Sequence, residues 1–120
     1  MNLKDARAFA LSLPESTEEP HFDKASFRVG GKIFATVPPG GTHLHVFVDE
    51  HDARAAVAEA PGAVEELWWG KRLSGVRIAL RPARRDLVVE LLEEAWRRRA
   101  PARVVRAFDE ANAGVPDPGR

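Results

Sequence analysis

Basic side chains recur at short spacing in two places along this 120-residue chain. Lys24, Arg28 and Lys32 mark one segment, and Lys71, Arg72 and Arg77 mark another. Cations so spaced can neutralise successive phosphates of a polyanion, an attraction that ignores base sequence and weakens with salt. Ser26 lies between Lys24 and Arg28, where its hydroxyl can donate to a phosphate oxygen. Lys24, Ser26, Arg28, Lys32, Lys71, Arg72 and Arg77 therefore form a candidate nucleic-acid-binding set. Trp68 and Trp69, just before the second segment, offer stacking surface if exposed. The plainer expectation is that at least one of these indoles seals an end of the core.

Other chemistries have weaker sequence support. His43 and His45 share one strand face, and His21 or His51 could approach them. No carboxylate falls at a ligand spacing on that strand, however, so no metal site is expected. Ser26, His21 and Asp23 are neighbours in sequence, but a triad is a matter of geometry, and no serine sits in Gly-x-Ser-x-Gly. Gly30-Gly31 and Gly40-Gly41 lie between strands, and the chain has neither a Walker A sequence nor Gly-x-Gly-x-x-Gly. Both pairs read as turns. Glu18-Glu19 and Glu65-Glu66 read as surface acids rather than a glycosidase pair. The chain has no Cys, which excludes disulfides and thiolate chemistry. A non-enzymatic protein without a cofactor is the expectation.

The 18 basic and 18 acidic residues balance, but unevenly along the chain. Residues 1–70 hold 6 Lys/Arg against 11 Asp/Glu, whereas residues 71–106 hold 11 against 4. Such asymmetry fits a polyanion partner. Arg outnumbers Lys 14 to 4, a bias that GC-rich coding also produces. Arg97-Arg98-Arg99 closes a helix, where cations complement the dipole. The N-terminus lacks the apolar run of a signal peptide, and no apolar stretch approaches the ~20 residues of a membrane span. A cytoplasmic protein is the default expectation.

The elements that must position these residues are readable from periodicity. Asn2 caps a helix bearing Leu3, Ala6, Phe9, Ala10 and Leu13, and Pro14 stops it. Pro20-His21-Phe22 enters the sheet as an irregular strand. Ser26–Val29 and Lys32–Val37 are hairpin arms joined by Gly30-Gly31, with Phe27, Val29, Ile33 and Ala35 on apolar faces and Lys32 and Phe34 opposite the latter two. His43–Val48 is a strand with Leu44, Val46 and Val48 on one face. Asp49 caps a helix running to about Ala60. The pattern from Ala63 to Gly75 fits either a short helix through Leu67 or a loop leading to an edge strand at Trp68–Trp69. Val76–Leu80 is a strand, and Arg84–Arg99 is a helix with a broad apolar stripe. Pro101 opens a further helix.

Short turns between strands and amphipathic helices predict a two-layer α+β domain. Its antiparallel sheet has four to five strands with helices on one face, in the order α-β-β-β-α-β(β)-α-α. Residues 1–112 form the single domain and 113–120 a flexible tail.

The run Pro20-His21-Phe22-x-Lys24-x-Ser26-Phe27-Arg28-Val29-Gly30-Gly31-Lys32-Ile33-Phe34-Ala35 resembles the signature of the MmcQ/YjbR family of small bacterial proteins. The likeness extends from the N-terminal helix to about Ala100, and includes a basic stretch before the last strand, here Trp69-Gly70-Lys71-Arg72. It implies the same α+β arrangement and a DNA-binding role, and it carries over no catalytic residue. Family members usually place a Trp immediately before the last strand, where this chain has Gly75. The segment from Pro101 onward also extends beyond the usual pattern.

The leading expectation is DNA binding through backbone-phosphate contacts. The alternatives are a protein-interaction module using Phe34, Phe47 and a tryptophan on the open sheet face, or a small-ligand site between His21, His43 and the hairpin.

Overall fold

The computed structural model describes residues 1–113. The tail expected at 113–120 lies outside the described residues beyond its first position. Helix α1 (Leu3–Ser12) begins at Asn2, whose side chain accepts from the Asp5 amide in a capping box, and Leu13 is its C-cap ahead of Pro14. Strands β1 (Thr17–His21), β2 (Lys24–Val29), β3 (Lys32–Val37) and β4 (His43–Val46) follow. Asp49 then caps α2 (Glu50–Glu59) by accepting from the Asp52 amide. A second hairpin, β5 (Val64–Trp69) and β6 (Arg72–Ala79), leads into α3 (Arg85–Arg99) and α4 (Ala102–Ala113).

All pairings are antiparallel, and the six strands lie in the order β1-β2-β3-β4-β6-β5. The expected two-layer α+β architecture is present, with six strands rather than four or five. The entry segment is a full strand, and Ala63–Gly75 resolves into the edge strand β5, a turn and the start of β6 instead of a helix. The residue pattern of β5 was ambiguous because an edge strand tolerates charge on both faces. Its Glu66 lies on the helix side, where it pairs with Arg54 of α2 at 3.4 Å.

One sheet face meets the helices. Phe27, Ala35, Leu44 and Val46 pack there with Leu87, Val88, Leu91, Leu92, Ala95 and Trp96 of α3, while Val76 and Ile78 of β6 lie beside α2 with its buried Ala53 and Ala56. Trp96 is fully buried, and its indole N–H donates to the Pro14 carbonyl at 3.1 Å. Phe34 departs from strict alternation. The β2–β3 register shifts between Phe27 and Arg28, leaving Phe34 as an extra residue that turns into the core beside Phe27, ring centroids 6.4 Å apart. It is therefore not part of any exposed apolar patch.

Gly30 and Gly31 have φ of 59° and 77°, the left-handed values that a tight hairpin requires. A side chain on Gly30 would also press on the Pro101 ring, so the turn seats against the α3–α4 junction. Gly75, just before the strand predicted from Val76, lies inside β6. A Cβ there would collide with the Val46 carbonyl oxygen and approach Phe47 Cα to 2.9 Å. A bulky residue at 75 is sterically excluded.

Candidate nucleic-acid interface

Among the described residues, the second sheet face carries no helix. One row crosses all six strands on it: Glu19, Ser26, Thr36, His45, Arg77 and Glu65 are successive partners from β1 to β5. Polar residues occupy this row because alternation sends the apolar neighbours of each to the helices. The row is stitched together internally. Ser26 Oγ donates to the Glu19 carbonyl at 2.7 Å and accepts from Arg28 Nε at 3.1 Å. Arg77 Nη1 and His45 Nε2 are 3.1 Å apart, and Arg77 also pairs with Glu65 at 3.2 Å.

The position of His45 in this row keeps its ring neutral. Its partial burial and the cations Arg77 and Lys24, with His43 adding to them, push its pKa down to about 4, against an opposing pull from Glu65. The neutral ring then accepts from the Arg77 guanidinium.

Around this row the face curves into a groove of about 1100 Å³. Thr36 and His45 lie in its floor with Ile33, Phe47 and Leu67. At one corner stand His21, Phe22 and Lys24; at the other stand Trp68, Trp69 and Arg72. Lys32, Arg98 and Arg99 complete the wall beside the Gly30-Gly31 turn. Five permanent cations thus line the groove and, among the described residues, no carboxylate does. Among the described residues, no carboxylate lies within 4 Å of any of the five. Arg98 is anchored by a 2.9 Å bond to the Phe47 carbonyl.

Three aromatic side chains project at the rims. Phe22 is 93% exposed, Trp69 83% and Trp68 48%. The expectation that an indole of this pair seals the core is corrected; that task falls to Trp96. Phe22 occupies the two-residue turn between paired His21 and Lys24 with φ of 59°. A non-glycine residue in that region costs roughly 1–2 kcal/mol, and here the strained residue gains almost no burial in return. Its ring lies edge-on to that of His21, centroids 4.8 Å apart.

The seven residues singled out by sequence separate on folding. Lys24, Lys32 and Arg72 line the groove together. Lys71 is exposed in the adjoining turn. Arg28 spends its guanidinium on Ser26 and the Pro20 carbonyl, and Arg77 is held by Glu65. Ser26 is 0% exposed with its hydroxyl engaged, so it cannot reach a phosphate. Sequence reasoning missed Arg98 and Arg99, since a helix C-terminus already accounts for cations there. His43 lies outside the groove, its Nδ1 2.8 Å from Thr42 Oγ1. Among the described residues, no three His, Cys, Asp or Glu side chains gather in a way that could hold a metal ion. A second, shallower depression between α3 and α4 contains an acid, Asp109, that pairs with Arg97 at 2.8 Å.

Comparison with known proteins bears on this geometry. The model of the YjbR family matches residues 11–98, which contain the whole sheet and nearly all of α3. The chain belongs to the YjbR family. A crystal structure of Deinococcus radiodurans protein DR2400, a DUF419 domain, superposes on the YjbR chain with a TM-score of 0.68. That match is 21% identical and covers 79% of this chain and 75% of the other, a likeness of fold. No curated protein matches the sequence. The matched YjbR region ends just before α4, which is added outside it.

Proposed function

We propose that this YjbR domain is a non-enzymatic DNA-binding module whose contact surface is the helix-free sheet face. The observation that carries this reading is the charge of the groove: Lys24, Lys32, Arg72, Arg98 and Arg99 line it with no acid among the described residues, in a chain whose net charge is zero. Side chains drawn from β2, β3, β6 and α3 converge there, and a field of one sign in a concave surface attracts polyanions. The DNA-binding character implied by the MmcQ/YjbR resemblance agrees, and action in the bacterial cytoplasm goes with it. No helix among the described residues is long and apolar enough to cross a membrane.

Phosphate contacts dominate this mode, so affinity falls with salt. With five cations engaged, log K against log[salt] should slope at about −3.5 on a single strand or about −4.5 on a duplex. Fluorescence anisotropy with labelled DNA across a salt series measures it. Arg72→Glu and Lys32→Glu should each weaken binding and flatten the slope by about 1. Absence of binding at low salt, or binding indifferent to both substitutions, refutes the proposal.

A further inference from the structure

The rims of the groove carry more than charge, and charge alone does not account for them. Phe22 and Trp69 are the two most exposed large apolar side chains described, and both line the same concavity. They stand at diagonally opposite corners of the open face, one in the β1–β2 turn and the other at the end of β5. Six strands at ~4.8 Å spacing place the two edges about 24 Å apart if flat. The groove, at about 1100 Å³, also exceeds the roughly 300–1,000 Å³ typical of small-molecule pockets. An occupant touching both of these rims would have to be extended.

From this we infer that the DNA held in the groove is single-stranded, with unpaired bases stacking on Phe22 and Trp69 and phosphates on the cations between them. The inference rests on the nucleic-acid reading above. A duplex presents phosphates outward and keeps its base faces stacked inside, which would leave both rings in water. A single strand offers free π-faces beside charge, and both corners of the groove set an aromatic ring beside a cation, Phe22 with Lys24 and Trp69 with Arg72. The Phe22 backbone supplies an independent observation. A turn position that favours glycine instead holds a strained phenylalanine whose ring leaves the fold almost entirely. Neither folding nor core packing explains that choice; a stacking platform does. Ile33, Phe47 and Leu67 in the floor would shelter the apolar side of the bound strand.

The test compares a labelled oligothymidine of roughly 12 nucleotides with a duplex of the same length. Anisotropy and intrinsic tryptophan emission are read for the native chain, Phe22→Gly and Trp69→Ala. Phe22→Gly relieves the positive φ, so lost binding in that variant cannot come from unfolding. The single strand should bind more tightly than the duplex and quench tryptophan emission. Each substitution should weaken single-strand binding roughly 5- to 100-fold and weaken duplex binding far less. Salt-sensitive binding that is equal or tighter for duplex, and unaffected by either substitution, overturns single-strand selectivity while sparing the phosphate-contact reading. Failure of both DNAs to bind overturns the two together.

Discussion

At the scale of single residues, Gly75 and His45 show how narrowly the open face is specified. Gly75 lies where β4 and its continuation at Phe47 press against β6, and the obstacle to a side chain is backbone. Backbone at a sheet centre cannot swing away as a flexible side chain can. Gly75→Ala should therefore cost about 3 kcal/mol, the upper end of ordinary overpacking, read as a lower denaturation midpoint. His45 is sensitive to charge instead. Its pKa is about 4 folded and about 6.5 unfolded, so the unfolded chain takes up the proton first as pH falls. The stability from a neutral His45 is complete above about pH 6.5 and declines toward pH 4. Glu94, whose pKa burial raises, acts in the opposite sense at mildly acid pH, so the native slope alone does not isolate the histidine. His45→Gln should remove the histidine component, and denaturation of both proteins at pH 7 and 4.5 checks it.

At the scale of elements, the hairpins and the terminal helix divide the work. The β1–β2 and β5–β6 turns lift aromatic side chains above the sheet, while the β2–β3 turn brings Lys32 toward Arg98 and Arg99. Helix α4 contributes by buttressing. Phe108 packs on Trp96 at 5.0 Å between centroids and receives the Arg97 guanidinium 5.3 Å above its ring, while Arg103 ties the helix to Glu15. Phe108 is only half-buried, so Phe108→Ala should cost about 2 kcal/mol, below the 3–5 of a fully buried ring. Denaturant unfolding measures the loss. DNA binding by that variant under folding conditions should be unchanged, because Phe108 lies away from the groove.

At the scale of the whole molecule, charge and hydrophobicity are sorted by face. Helices cover one side of the sheet, and most of the paired Arg residues neutralise acids on the helices or at the edges. The cations left in the groove come from segments far apart in the chain. A zero total charge is thus compatible with a strongly cationic concavity, and the steep salt dependence expected of DNA binding belongs to this level. It would survive loss of any one cation and vanish only if the face were neutralised.

The chain's local chemistry determined much in advance. Caps at Asn2 and Asp49, the glycine turn at 30–31 and the apolar stripe of α3 are set by interactions within a few residues, so they were legible. Lys24, Lys32 and Arg72 were legible as cations, but not as neighbours. Tertiary structure decided the rest, because bulges and pairing partners are long-range. The shift at Phe34 buried a ring that alternation placed outside. Cross-strand partners consumed Ser26 and Arg77, and the hairpin's seat against α3 recruited Arg98 and Arg99. Whether a side chain is spent internally or left for a ligand depends on which strands meet, and their meeting is settled by packing across the sheet.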